Sequence, residues 1–261
     1  MYRKIEELTL NGWPALQTLV MDGWLLRTAD GYTKRSNSVS PIYSCDGDSL
    51  AAAWKRIRDV EHFYTSAGLD VIFKITPFAQ PDILDSLLEQ DGYEKVEPSS
   101  VMLLDLEKLP KPGSLPALAD IRIEETVTDR WLQTLAHVSS LSAAALQTAR
   151  SLIEGSKLRQ GFLALSVQGR PAACGFTVVE RGYMGLYDIA VHPDYRNRGI
   201  GKELVARLLQ WGGAQGAAAC YLQVVQSNAP ANRLYDKFGF EDIYTYWYRV
   251  KRRAPADSGG D

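Results

Sequence analysis

The chain has 261 residues, 46% of them hydrophobic, and a formal net charge of -2 at pH 7. That length suits one large or two small domains with buried cores, and the near-neutral charge excludes a general electrostatic footprint for nucleic acid or for an anionic membrane. The N-terminus has no long apolar run, so we expect no signal peptide, no membrane span and a cytoplasmic protein.

The three cysteines, Cys45, Cys174 and Cys220, lie far apart and form no C-x-x-C pair. The histidines also lack the spacing of a zinc site. This pattern predicts neither a disulfide framework nor a structural metal ion, so we expect no metal. Cys174 and Cys220 stand in apolar runs, which favours buried structural thiols.

The first part of the chain predicts a mixture of strands and helices. The polar segment 33–38 has the alternation of a strand, 48–67 predicts an amphipathic helix, and 71–76 predicts a buried strand. Residues 87–94 (LLEQDGYE) end a helix at a glycine and enter a further strand.

Three prolines and a glycine within 109–116 have the composition of a linker. We therefore predict a first lobe at 1–109, a linker at 110–118 and a second lobe at 119–251. The polar tail at 252–261 is expected to be flexible.

The second lobe predicts an α+β order of elements. A strand at 120–124 and helices at 129–141 and 143–158 come first. They are followed by strands at 161–168, 172–181 and 183–191, a helix at 200–210, a strand at 217–226, a short helix, and final strands within 240–250.

A glycine-rich loop joins the strand that ends at Val191 to the helix that begins at Ile200 (YRNRGIGKEL, 195–204). The first amides of a helix have no carbonyl partner inside it and lie at the positive end of its dipole. With Arg196, Arg198 and Lys202 nearby, the loop predicts a site for an anion such as a pyrophosphate.

Two familiar phosphate motifs do not match this loop. The dinucleotide fingerprint requires a third glycine, and the nucleoside triphosphate loop requires a hydroxyl where Glu203 stands and a glycine where Arg196 stands. The order Arg-x-x-Gly-x-Gly instead resembles the GNAT superfamily of acyl-CoA-dependent N-acyltransferases. An ordinary glycine turn before a surface helix is the plain alternative.

A second segment strengthens the resemblance. The string Asn228 to Phe240 (NAPANRLYDKFGF) is similar to the second GNAT signature, N-x-x-A-x-x-L-Y-x-K-x-G-F. From the residues alone, Asn228 can cap a helix and Gly239 can end it in the left-handed conformation. The resemblance covers about half the chain and implies a GNAT-like mixed β-sheet flanked by helices.

The first lobe repeats part of this pattern. Residues 87–94 align without a gap on 234–241, and the helix at 48–67 and strand at 71–76 correspond to the elements before Asn228. We therefore predict two tandem GNAT-like lobes, the first one degenerate because it lacks the R-x-x-G-x-G loop. Coincidence is the alternative, since a helix that ends in glycine is common.

The resemblance implies a site for acetyl-CoA as co-substrate. Its pyrophosphate would lie on the loop, and backbone amides of the preceding strand would bind the acyl carbonyl, with Ile189 the favoured oxyanion donor. The implied coenzyme-binding residues are Ile189, Ala190, Val191, Arg196, Asn197, Arg198, Gly199, Ile200, Gly201, Lys202 and Asn228.

Tyr235 occupies the Leu-Tyr position whose tyrosine, in many relatives, protonates the leaving thiolate. The resemblance therefore makes it the candidate general acid. The alternative roles are structural: Tyr235 packs its ring on the helix face, and Asn228 caps its helix.

The general base is less well defined. Relatives place a glutamate at positions occupied here by Gln223 or Gly185, and neither residue can accept a proton. Asp188 is the nearest titratable candidate, with a surface carboxylate or water-mediated deprotonation as alternatives. Glu180 is more remote.

The function implied is transfer of an acetyl group from acetyl-CoA to a primary amine of a small molecule or peptide, by direct attack in a ternary complex. No metal, nucleic acid or membrane is implied. A non-catalytic acyl-CoA sensor and, less favoured, a nucleotide-dependent enzyme are the alternatives. The acceptor and the oligomeric state stay open.

Overall fold

The computed structural model describes residues 1–44, 49–108 and 123–253. The predicted linker at 110–118, most of the predicted tail and Cys45 lie outside the described residues. The helices are α1 (Tyr2–Gly12), α2 (Leu50–Ser66), α3 (Leu84–Gln90), α4 (Asp129–Ser139), α5 (Ala143–Gly155), α6 (Ile200–Ala214) and α7 (Ala229–Asp236). The strands are β1 (Gln17–Met21), β2 (Trp24–Thr28), β3 (Val39–Ser40), β4 (Val71–Ile75), β5 (Glu94–Asp105), β6 (Arg159–Val167), β7 (Arg170–Glu180), β8 (Tyr183–Val191), β9 (Ala219–Val225) and β10 (Glu241–Lys251).

The chain divides into two compact units. Unit 1 comprises Met1–Pro14 and Ser99–Tyr244, and unit 2 comprises Ala15–Pro98 and Thr245–Asp261. These units differ from the predicted lobes, because α1 and most of β5 belong to unit 1 and most of β10 belongs to unit 2. The predicted boundaries at 109 and 119 stay a prediction, since both fall outside the described residues.

Unit 1 contains a mixed sheet in the order β5-β9-β8-β7-β6. Only β8 and β9 run parallel there, whereas β5–β9, β6–β7 and β7–β8 are antiparallel. One face buries aliphatic side chains against α6, including Leu186 and Leu208. The other face is aromatic, with Trp131 of α4 edge-on to Phe162 and Phe176.

Unit 2 contains the strand order β1-β2-β3-β4-β10. β3 and β4 pair in parallel at Val39 and Phe73, and β10 pairs antiparallel with β4 from Trp247 to Lys251. Its core packs α2 against this sheet around Trp24, with Phe73 buried beside it. Both units therefore combine a sheet with a covering helix, as the α+β pattern predicted.

The predicted repeat appears as the same order of elements in both halves of the chain. The series α2-β4-α3-β5 corresponds to α6-β9-α7-β10. The last strand of each series belongs largely to the unit that contains the other series, because β5 pairs with β9 and β10 pairs with β4.

The prediction of a strand at 33–38 is wrong. Residues Lys34–Ser36 form a 3-10 turn, and the side chain of Asn37 accepts hydrogen bonds from the amides of Ala29 and Gly31. A side-chain amide that satisfies backbone groups locally competes with strand pairing, which the alternation of residue types does not reveal.

Most other predicted elements agree with the structure within a few residues. The strand predicted at 120–124 falls partly outside the described residues, and Glu124 forms only an isolated bridge with Phe162. Within the described part of the chain, no helix is both long and apolar enough to cross a membrane.

Candidate functional site

A β-bulge interrupts the pairing of β7 and β8 where the acyl carbonyl was predicted to bind. Cys174 pairs with Ala190 and Phe176 pairs with Tyr187, so Asp188 and Ile189 together face Gly175. Asp188 adopts the left-handed conformation, with φ of 47°. The extra residue takes backbone groups of β8 out of the regular ladder, as bulges beside active sites commonly do.

Gly175 is required by this bulge. A Cβ atom there would lie 2.5 Å from Cδ1 of Ile189, which occupies the space that a side chain would fill. Trp131 holds Gly175 from the other face of the sheet, since its indole nitrogen donates a hydrogen bond to the carbonyl of Gly175 at 3.1 Å. Packing on both faces therefore holds the position of Ile189.

The two parallel strands part just before the bulge. β8 and β9 pair only from Tyr183–Ala219 to Gly185–Tyr221. Beyond that pair, Leu186 and Tyr187 are buried, and the last residues of β8, Asp188 to Val191, are partly exposed. Separated strands leave backbone groups facing a gap, which suits a ligand that enters along the strand direction.

The glycine-rich loop follows at the open end of this gap. Asn197 has φ of 60°, and Gly199, the N-cap residue of α6, has φ of 80°. No side chain caps α6, and a Cβ atom on Gly199 would meet nothing within 4 Å. The first amides of α6 thus have no side-chain cap, and the space beside Gly199 is open; binding of an anion there stays a prediction.

Positive charge surrounds the loop. Arg196 donates from Nε to the carbonyl of Val191, and the Arg198 guanidinium lies 5.7 Å from the ring centre of Tyr195. The one acidic residue in the first turn of α6, Glu203, pairs with Arg207 at 2.7 Å. This ion pair reduces the opposition of Glu203 to an anion at the helix N-terminus.

The corresponding helix of the first series is closed. α2 begins at Leu50, and its N-cap residue, Ser49, accepts a hydrogen bond from the amide of Ala52 with its hydroxyl. A serine cap occupies the amide that a phosphate would need. The two series therefore differ at the same helix start, and only α6 presents uncapped amides there.

Asn228 caps α7 as predicted. Its side-chain oxygen accepts from the amide of Ala231 at 3.3 Å, and Gly239 adopts φ of 85° at the far end. The side chain of Asn228 is exposed, so its amide NH2 group stands at the surface. A contact with the coenzyme arm stays a prediction.

Tyr235 is only 7% exposed and belongs to the aliphatic core of unit 1. Its ring lies 5.7 Å from that of Phe240 in an edge-on arrangement. The ring of Tyr235 therefore packs in the core, and a second role for its hydroxyl group as general acid stays a prediction.

Asp188 lies at the bulge and is partly buried. Burial raises the pKa of the Cys174 thiol, and the negative charge of Asp188 nearby raises it further. Asp188 is therefore close enough for its charge to act on Cys174, and Cys174 is a buried thiol as predicted. The role of Asp188 as general base stays a prediction.

The other carboxylate positions are unsuited to the chemistry. Gly185 cannot carry a longer side chain, because a Cβ atom would lie 2.6 Å from the Tyr221 ring. Glu180 pairs in register with Tyr183, at the opposite end of β8 from Asp188, and accepts hydrogen bonds from Asn11. Among the described residues, no group of three or more potential ligands could hold a metal ion.

One group of residues near the gap had no signal in the sequence. Helix α1 packs on the aromatic face of unit 1, where the carbonyl of Leu8 accepts a hydrogen bond from the Tyr221 hydroxyl. The Tyr187 hydroxyl lies 2.8 Å from that of Tyr221. Local pattern could not reveal this, because the hydrogen bond from Tyr221 to Leu8 joins residues 213 positions apart.

A family model described as "Probable histone acetyltransferase Rv0428c C-terminal" matches residues 1–249. The uncharacterized N-acetyltransferase YobR of Bacillus subtilis is 31% identical over 251 residues, which cover 96% of this chain and 98% of that protein. The ribosomal protein bS18-alanine N-acetyltransferase of Escherichia coli K12 is 37% identical over 78 residues, which cover 30% of this chain and 53% of that protein.

Solved structures show the same fold. A GCN5-related N-acetyltransferase from Kribbella flavida has a TM-score of 0.66 at 14% identity, covering 98% of this chain and 96% of the other. A tandem GNAT protein from the clavulanic acid biosynthesis pathway has a TM-score of 0.63 at 15% identity, covering 84% and 76%. These likenesses confirm the predicted α+β fold with two tandem GNAT-like lobes.

Proposed function

Because this chain belongs to the GNAT superfamily of N-acetyltransferases, we propose that it transfers an acetyl group from acetyl-CoA to a primary amine of a small molecule or peptide. The amine attacks the thioester directly in a ternary complex. The observation that carries this proposal is the uncapped start of α6 beside the gap between β8 and β9. No metal ion takes part.

The coenzyme would bind along this gap. Its pyrophosphate would accept hydrogen bonds from the first amides of α6, with the loop cations around it. The residues proposed to bind the pyrophosphate are Arg196, Asn197, Arg198, Gly199, Ile200, Gly201 and Lys202. The pantetheine arm would pass between the strands near Ala190, Val191 and Asn228, and the amide of Ile189 would face the acyl oxygen.

The reaction then needs one proton acceptor and one proton donor. As the C–N bond forms, the amine nitrogen loses a proton to Asp188, directly or through water, and the carbonyl oxygen gains charge that the Ile189 amide stabilises. The C–S bond breaks as the thiolate takes the phenolic proton of Tyr235. Solvent then returns Asp188 and Tyr235 to their starting protonation states.

The proposed acceptors include both peptide amines and small amines. One relative is named for acetylating alanine of ribosomal protein bS18, and the family description names histones. Both favour a peptide amine as one acceptor class for this chain. Small amines stay in the proposal because the bS18 relative matches only 30% of this chain and the family description is worded "Probable histone acetyltransferase".

A sensor that binds acyl-CoA without turnover is the second candidate, favoured by Gln223 and Gly185 where relatives have glutamates. An acceptor screen with acetyl-CoA, read by mass detection of acetylated product, separates the two. We expect product with at least one amine and a slower rate in Asp188→Asn at unchanged acetyl-CoA affinity. Tight acetyl-CoA binding without product across small amines and peptides would favour the sensor.

A further inference from the structure

Strand β1 forms the outer edge of the sheet of unit 2. The strand order of unit 2, β1-β2-β3-β4-β10, matches the order β6-β7-β8-β9-β5 of unit 1, so β1 corresponds to β6. In unit 1, Glu124 lies along the outer edge of β6 and exchanges two backbone hydrogen bonds with Phe162, at 3.0 and 2.7 Å. Within residues 1–44, 49–108 and 123–253, no segment pairs with the outer edge of β1 in this way.

The register of the β1–β2 hairpin identifies the backbone groups that face this open edge. Thr18 lies opposite Arg27. The amide of Arg27 donates to the hydroxyl of Tyr64, which in turn donates to the carbonyl of Arg27. Opposite residues of an antiparallel pair alternate between those that exchange backbone hydrogen bonds and those that do not. The amide and carbonyl of Thr18 therefore point away from β2, and those of Val20, two residues further along, do the same.

The side chains of β1 leave this edge unprotected. Residues 17–21 (QTLVM) include no charged residue and no proline, whereas natural edge strands are often protected by lysine or proline. The first four residues of the strand are exposed, with Leu19 at 38% and Val20 at 72%. Valine and threonine also favour the extended conformation. The edge is therefore neutral, partly apolar and able to pair with a further strand.

The outward groups fit a second copy of the same strand. When two copies of β1 run antiparallel about a two-fold axis at Leu19, Thr18 of each copy lies opposite Val20 of the other. Both residues point their amide and carbonyl outward, so each of these pairs exchanges hydrogen bonds in both directions. A register centred on Thr18 or on Val20 would place the other residue opposite a position outside β1. Because the strand is uncharged, no like charges oppose each other in the pairing.

We propose that two copies of this chain associate through antiparallel pairing of their β1 strands, centred on Leu19. The proposal goes beyond the acetyltransferase function and does not depend on it. A strand of 5 residues is only about 17 Å long, so the pairing buries less than the roughly 1,200 Å² of a standard interface. The dimer is therefore reversible, and its population rises with protein concentration.

Sedimentation velocity over a wide range of protein concentration tests the association. We expect the parent protein to shift from monomer to dimer as its concentration rises. Val20→Pro removes the outward amide donor, and an edge strand tolerates proline where its N–H faces solvent. Leu19→Lys places two ammonium groups opposite each other across the axis. Each variant should weaken the dimer, raising its Kd about tenfold or more.

Ile83→Lys is the matched control, because Ile83 is 47% exposed and the change adds the same charge. Ile83 precedes α3, in which Asp85 accepts a hydrogen bond from Trp247 of β10. β10 is at the opposite end of the unit 2 strand order from β1. This variant should therefore dimerise like the parent protein. Circular dichroism establishes that each variant folds, and where one of the two β1 variants does not, the other serves in its place.

Cysteine substitutions test the register. In the proposed pairing the Cα atoms of the two Leu19 residues are about 4.5 Å apart, within the range of a disulfide. Those of the two Val20 residues lie diagonally about 7–8 Å apart, beyond that range. Mild oxidation should therefore cross-link Leu19→Cys into dimers far faster than Val20→Cys or the parent protein.

Three results would overturn the proposal. The first is a parent protein that stays monomeric at every attainable concentration. The second is a dimer of unchanged Kd in folded Leu19→Lys or Val20→Pro, which would place the interface elsewhere on the molecule. The third is equal cross-linking of the two cysteine variants, which would contradict the register centred on Leu19.

Discussion

Gly199→Asp tests whether the uncapped amides of α6 bind the pyrophosphate. Aspartate is a favoured N-cap residue, so its carboxylate can accept hydrogen bonds from the amides proposed for the coenzyme. A Cβ atom at Gly199 meets nothing within 4 Å, so the substitution creates no clash. Gly199→Asn is the control of the same shape, because it can cap the helix without adding charge.

The two effects on stability nearly cancel. A non-glycine residue at φ of 80° costs about 1 kcal/mol, and a new N-cap contributes about the same amount. The effect on binding does not cancel. At about 4 Å and an effective dielectric constant of about 40 to 80, each phosphate charge repels the carboxylate by about 1–2 kcal/mol. Two charges then weaken binding by about 2–4 kcal/mol, or roughly thirty- to thousandfold in Kd.

Isothermal calorimetry with acetyl-CoA, at low and at high salt, measures this difference. We expect Gly199→Asp to bind far more weakly than Gly199→Asn, and the gap between them to narrow in salt because exposed charges are screened. The thermal midpoints of the two variants should lie close to that of the parent. Equal acetyl-CoA affinity in all three proteins would refute the assignment of this helix start.

The other predictions concern the acid, a charged cluster and the N-terminal helix. Tyr235→Phe should lower kcat while acetyl-CoA affinity is kept, since the ring still packs on Phe240; equal losses in both would contradict the general acid. A hydrogen bond from Arg58 is the main cause that lowers the pKa of Asp91 from 3.8 to about 2. The folded pKa lies below the unfolded one, so this carboxylate stabilises the fold above about pH 3.8 and loses that effect toward pH 2; melting curves of Asp91→Asn should show a weaker acid dependence across that window. Deleting residues 1–14 removes α1 from the aromatic face of unit 1, including the Leu8 carbonyl that accepts from Tyr221. We expect the truncated chain to be insoluble or to lose its near-ultraviolet circular dichroism signal. A cooperative, native-like melt of the truncated chain would contradict this role of α1.

The parts of the site that could be predicted from sequence are those made by consecutive residues. The loop 195–204 determines its own conformation, because glycine at position 199 permits the left-handed turn and the helix that follows supplies the amides. Asn228 and Gly239 likewise act through neighbours a few positions away, and both appear where the pattern places them. Local chemistry of this kind needs no knowledge of the sheet.

The parts that could not be predicted depend on residues far apart in the chain. The bulge requires Gly175 opposite Ile189, and the Tyr187–Tyr221 pair requires Leu8 from the first helix. The prediction of a strand at 33–38 failed for a related reason. The side chain of Asn37 accepts a hydrogen bond from the amide of Ala29, and the alternation of residue types does not show that contact. Strand alternation reports which faces are buried and not what covers them.

The exchange of final strands between the repeats gives the first repeat a physical role. β5 ends the first series, yet Ser99 to Asp105 pair with β9 in unit 1, and β10 ends the second series, yet its last residues pair with β4 in unit 2. A sheet edge left without its partner exposes a row of unpaired backbone groups. Removing the first repeat would therefore strip β9 of a neighbour on the side away from β8. The degenerate repeat thus supports the strand that forms one wall of the proposed site, although its own helix α2 is capped by Ser49.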